Sequence, residues 1–128
     1  MPTRFAALGI VLVSFGAHAE VIDISWTPDG RFGFEALLDA GQFHEVCGDL
    51  AQGDTVQWEF QASVPVDFDI HYHQGEDVVY PVRQSGVSAL SDSLAVAAAQ
   101  TYCWMMSNSG QNPSVINLDL ERAMDGGS

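Results

Sequence analysis

Two eight-residue stretches alternate apolar and polar residues with a period of two. In Thr55–Ala62 (TVQWEFQA) the apolar set is Val56, Trp58 and Phe60. In Val66–His73 (VDFDIHYH) it is Val66, Phe68, Ile70 and Tyr72. Successive side chains of a β-strand point to opposite faces, so each stretch buries one face and leaves the other polar. A helix, with 3.6 residues per turn, would scatter these same residues around its circumference. A one-residue slip would send every apolar side chain to the wrong face, so the register is strongly specified. Asp67, Asp69, His71 and His73 therefore share the face away from the core.

The rest of the chain punctuates in the same way, without internal repeats. Val21–Trp26 is a first extended candidate, stopped by the turn tetrapeptide Thr27-Pro28-Asp29-Gly30, with Phe32–Glu35 as a return strand. Gly48–Asp54 reads as a loop rich in turn formers, and Gln74–Asp77 as a turn into Val78–Val82. Leu90–Thr101 has helical composition, although a strand between Val87 and Ala98 fits equally. Tyr102–Met106 and Val115–Leu120 complete the strands, with a polar turn from Ser107 to Ser114. Many short strands between turn signals predict an all-β, antiparallel β-sandwich of seven or eight strands in two packed sheets, jelly-roll-like in outline.

Residues 1–19 (MPTRFAALGIVLVSFGAHA) read as a secretory signal: one cation, a short apolar run and a small-x-small end, with cleavage expected after Ala19. The apolar run is about half of the roughly 20 residues a spanning helix requires, and no later segment spans a bilayer. The expected organisation is a signal peptide over 1–19, one sandwich domain over 20–124 and a disordered tail over 125–128. The product is expected to be soluble and exported, periplasmic or secreted. An oxidising compartment makes Cys47 and Cys103, 56 positions apart, a disulfide pair. Closing so long a loop contributes up to roughly 4 kcal/mol on the chain-entropy model.

Charge narrows the partners. Seventeen Asp and Glu against four Arg give −13 over the full chain. Loss of Arg4 with the signal would leave −14. Nucleic acid and anionic membrane surfaces are excluded, because both need clustered cations. The composition is nonetheless that of a folded domain, with 47% hydrophobic residues, 7 Phe, 3 Trp and 3 Tyr.

Over about residues 42–120 the order Cys47, Gly53-Asp54, VDFDIHYH, Val79-Tyr80 and Tyr102-Cys103-Trp104-Met105-Met106-Ser107-Asn108 resembles the GOLD (Golgi dynamics) domain, the lumenal β-sandwich of cargo receptors. The family's glycine before the tyrosine is absent, and Tyr102 directly precedes Cys103. The resemblance implies a fold, a disulfide and a binding surface. It does not carry the trafficking role.

His71 and His73 are the most pointed chemical feature. At i and i+2 on a strand they project from one face about 7 Å apart, a spacing at which two imidazoles can converge on copper or zinc. Asp69 shares that face; His44 or Glu45 could be brought to it by the fold, and Met105 or Met106 offers a thioether that would favour copper. The same strand also reads as an ordinary solvated face, with the methionines as core packing. A blue-copper site is excluded, because no His follows Cys103 and Cys103 has a disulfide partner. There is no GxSxG, HExxH, P-loop or dinucleotide-binding pattern, so no enzymatic activity is expected. Trp58 alternates with core residues, and Trp104 is expected to pack against a bridge between sheets. Trp26 is the tryptophan left as a binding surface. Two functions remain: an exported binding module for a protein or small ligand, or a periplasmic metal-binding protein, copper first and zinc second. The acidic residues then either solvate the surface in a salty medium or concentrate cations around His71 and His73.

Overall fold

A computed structural model describes residues 19–123, so the expected signal (apart from Ala19) and the expected tail lie outside the described residues. Seven strands follow one another: β1 (Ala19–Asp23), β2 (Arg31–Leu38), β3 (Phe43–Leu50), β4 (Thr55–Gln74), β5 (Asp77–Ala95), β6 (Gln100–Ser107) and β7 (Ser114–Ala123). β4 and β5 form one long antiparallel hairpin. Along its other edge β4 pairs first with β7, through Thr55–Ala62, and then with β6, through Asp67–His71. β7 carries β2, while β6 carries β3 and then β1.

The even-numbered side chains of both halves of β4 face one interior. The Trp58 ring stacks on Phe68 at 5.1 Å, and Phe60 lies 4.8 Å from the same ring. β4 thus folds over on itself, and the two halves head two layers. One layer holds β4's first half, β7 and β2; the other holds its second half, β6, β3 and β1. Trp104, Phe60, Phe68, Ile70, Met106 and Ile116 fill the space between them, all essentially inaccessible to water. This is the expected two-layer all-β architecture. The two stretches read as separate strands are one bent strand, because apolar parity carries through from Val56 to Tyr72.

The bend has its own polar accounting. Register shifts between Gln61 and Val66 release Val64 from the ladder. The buried Ser114 hydroxyl accepts from Val64 N–H at 3.0 Å and donates to Val64 C=O at 2.7 Å. Both backbone groups are therefore satisfied away from a strand. Pro65, which has no N–H, sits where the ladder needs none.

Three local expectations change. β1 does not return along β2; it pairs in parallel with β3, Ile22 opposite Val46, making the sheet mixed. The turn at residues 27–30 forms, with Gly30 at φ +83°, but it delivers β2 to the other layer, beside β7. Gly48, Asp49 and Leu50 belong to β3, not to a loop. The glycine lets Ile24 pack closely, since a Cβ there would lie 3.0 Å from Ile24 Cδ1. Finally, residues 90–95 continue β5 and leave no helix, since Leu94 is buried opposite Val56 in register with β4. Among the described residues no helix is long and apolar enough to cross a membrane.

Two polar clusters lock the ends. Asn108, only 2% exposed, donates through Nδ2 to Leu38 C=O at 3.0 Å and to Asn112 C=O at 2.8 Å, and accepts from Gly110 N–H at 3.0 Å. At the opposite end Arg122 Nη2 and Nε lie 3.0 and 3.2 Å from Asp54 Oδ2. The same guanidinium lies 5.5 Å from the centre of the Trp26 ring.

Candidate functional site

The odd-numbered residues of β3, β6 and the second half of β4 form the outer face of one layer. Ladder register sets them in rows. One row reads Val21, Glu45, Met105, Asp69 and Arg83; the next reads Asp23, Cys47, Cys103 and His71. Cys47 and Cys103 are direct cross-strand partners and are joined as the expected disulfide. The bridge therefore links neighbouring strands within one sheet and faces outward. Trp104, on the opposite parity, packs inside, away from the bridge it was expected to cover.

His71 is the centre of this face. Its Nδ1 lies 2.6 Å from Asp69 Oδ1 and its Nε2 lies 3.1 Å from Glu45 Oε2. Although it points away from the core, it is 6% exposed. The His73 ring packs edge-on at 5.5 Å, the Tyr80 ring covers it at 5.8 Å, and Arg83 lies 4.4 Å over Tyr80. An imidazole held between two carboxylates is fixed in orientation by both. Ligand atoms of Glu45, His71 and Cys103 all lie within 4.8 Å of one another.

The fold thus gathers His71, His73, Asp69 and Met105 on one face and adds Glu45. It does not gather His44. That side chain shares the parity of core residue Val46, lies edge-on to Phe34 at 5.7 Å, and leaves Nδ1 without a hydrogen-bond partner, Glu20 Oε1 being 3.6 Å away. Parity carried the signal: in Phe43-His44-Glu45-Val46-Cys47, the residue on the cysteine's side is Glu45. Trp26 is also not a free platform. It is half-buried, packed against the core and faced by Arg122.

A second feature lies on the outer face of the other layer. Glu59 is directly opposite Asp119, and Gln57 opposite Glu121. Gly33 completes the row of Asp119, and Arg31 the row of Glu121, with Arg31 Nη2 3.2 Å from Glu121 Oε2. The small residues Ser91 and Ser93 border a shallow, solvent-open depression of about 560 Å³ floored by Gln57, Glu59, Asp119 and Glu121, with Arg31 at its side. Like charges directly opposite on a sheet are unfavourable, and Glu59 with Asp119 is such a pair.

No protein-family model matches the sequence, and no curated protein is similar to it. Solved structures are similar. A periplasmic inhibitor of g-type lysozyme, PliG from Aeromonas hydrophila, aligns with a TM-score of 0.63 at 9% identity, over 82% of this chain and 97% of that one. Its Escherichia coli counterpart, solved as a mutant, gives 0.55 at 14%, over 84% and 100%. The pre-peptidase C-terminal domain of a Bacillus anthracis collagenase gives 0.52 at 9%, over 86% and 99%. The likeness is one of fold. These neighbours are all-β and sandwich-like, which is the level at which the GOLD resemblance is carried; they are not GOLD domains. The PliG proteins are periplasmic and inhibit an enzyme.

Proposed function

We propose that this chain is an exported, non-enzymatic binding protein whose partner is a cationic protein, with g-type lysozyme the first to test. The observation that carries the reading is the acidic face around Glu59 and Asp119, whose neighbouring cation, Arg31, is already paired with Glu121. Two carboxylates opposite each other raise the energy of the free protein, and a cationic partner would relieve that repulsion on docking. The wider field of a chain at −13 would speed encounter with such a partner and disfavour anionic ones. The likeness in fold to the PliG proteins, periplasmic inhibitors of g-type lysozyme, supports the reading. The Tyr102-Cys103-Trp104 and Asn108 segment that resembles the GOLD domain supports the same class, a binding module. Absent catalytic motifs and the shallow depression agree with it.

Titration of g-type lysozyme with the exported chain, by calorimetry and by activity, tests the reading. Binding and inhibition are expected, weakening steeply with added salt. Glu59→Lys/Asp119→Lys should weaken binding at least tenfold while leaving the fold intact. Absence of binding at low ionic strength would remove lysozyme as the partner. Binding indifferent to both salt and the double substitution would remove the acidic face as the surface.

A further inference from the structure

The histidine face has a composition that the binding role leaves unused. We propose that reduction of the Cys47–Cys103 bridge turns this face into a zinc site, with Cys47, Cys103, His71 and Glu45 as ligands and Asp69 as a positioning residue. In the oxidised protein the sulfurs are bonded to each other and offer no thiolate. The remaining pair, His71 Nε2 and Glu45 Oε2, is half a coordination shell. Transfer of two electrons from a dithiol reductant breaks the S–S bond. The two cysteines become thiols, the reductant becomes a disulfide, and its two hydrogens end on the protein sulfurs. Zinc then displaces those two protons and takes both thiolates.

The geometry is already close to what such a site needs. Ligand atoms about 2.0–2.2 Å from a tetrahedral zinc are about 3.4 Å apart; His71 Nε2 and Glu45 Oε2 are 3.1 Å apart. Cys103 Sγ falls within 4.8 Å of both, and Cys47 Sγ is bonded to it. The hydrogen bond of Asp69 to Nδ1, at 2.6 Å, fixes the tautomer whose Nε2 lone pair is free. That carboxylate–imidazole pairing is the usual outer-shell support of a metal-bound histidine. Two thiolates, an imidazole and a carboxylate suit zinc better than copper(I), which prefers soft ligands throughout. The set differs from the one read along the strand. His73 covers the ring, Met105 sits between the carboxylates, and His44 is on the far side of the sheet.

The test uses the full exported chain, either oxidised or reduced with a phosphine that is then removed. It is titrated with cobalt(II) as a spectroscopic probe and with zinc by competition. The reduced chain should bind one equivalent with a thiolate-to-cobalt charge-transfer band and release two protons; the oxidised chain should show no such band. His71→Ala and Glu45→Gln should each lower zinc affinity tenfold or more. Asp69→Asn should lower it about 10–100-fold while keeping the band and the 1:1 stoichiometry. Circular dichroism follows the fold, and Cys47→Ser/Cys103→Ser reports the unbridged sheet without thiolates. Unfolding of the chain on reduction overturns the proposal. A folded reduced chain without the band does so equally, as does unchanged affinity in His71→Ala.

Discussion

Asn108 ties the end of β2 to its own loop through a side chain that water barely reaches, so its replacement should be among the most costly single changes in this molecule. Asn108→Ala removes two donors and one acceptor. The partner Leu38 C=O belongs to a fully buried residue, and an orphaned buried group costs about 1–3 kcal/mol. Asn112 C=O and Gly110 N–H sit where water has partial access, so each should cost less, about 0.5–1 kcal/mol. The total is about 3 kcal/mol. Asn108→Asp is more informative. It places a carboxylate oxygen against two carbonyl oxygens, so at neutral pH it should be less stable than the alanine variant by about 1 kcal/mol or more. Those surroundings raise the folded-state pKa of the new carboxyl above its unfolded value. The protonated form then supplies stability below the unfolded pKa, and that stability is lost as pH rises through the folded pKa. The gap between the Asp and Ala variants should therefore close as pH falls from about 7 to about 4. Urea unfolding followed by tryptophan emission measures this, with the m-value expected to stay constant. An Asp variant as stable as the native chain at neutral pH, or a gap that widens in acid, would refute the hydrogen-bond account.

Three further outcomes follow from the same structure. Arg122→Met leaves Asp54, whose side chain is 4% exposed, as a buried carboxylate that still accepts from Ala51 N–H but has lost its cation; a loss of about 3 kcal/mol is expected, partly recovered in Asp54→Asn/Arg122→Met, as a double-mutant cycle would show. Gly30→Ala combines φ +83° with a Cβ 2.6 Å from Arg122 C=O, so thermal unfolding should reveal a loss of at least about 2 kcal/mol. Burial pushes the Tyr102 phenol above its ordinary value of 10.0, with the nearby Tyr72 phenol adding to the rise and a backbone contact at Ala98 opposing it. Its contribution to stability is present below pH 10 and is lost as pH rises through the folded-state pKa, so ultraviolet titration should show one tyrosine ionising late, together with the onset of alkaline unfolding.

Much of this was legible in the residues. The alternation in Thr55–Ala62 and Val66–His73 placed nearly every core side chain of β4, and the Cys47–Cys103 pairing followed from export and an even count. What was not legible was partnership between distant segments. The pattern of Val21–Asp23 shows that the segment is extended, yet the choice of β3 over β2 depends on Ile22 and Ile24 packing beside Val46 and over Gly48. Likewise, the bend of β4 depends on Ser114, fifty residues beyond the Val64 groups it satisfies. His71 was found as chemistry, but its burial was not, because Tyr80 reaches it from β5 with Arg83 over the Tyr80 ring. Glu45 was within reach of parity reasoning once Cys47 was known to face outward.

The disulfide encloses β4 and β5 in a covalent ring running from Cys47 to Cys103, a separation of 56. The strands β1, β2 and β7 dock onto that ring from chain segments outside it. A cut in the hairpin turn at Gly75-Glu76 would therefore open the ring without releasing either piece. The nicked chain would migrate as one species until a reductant was added, and then as two.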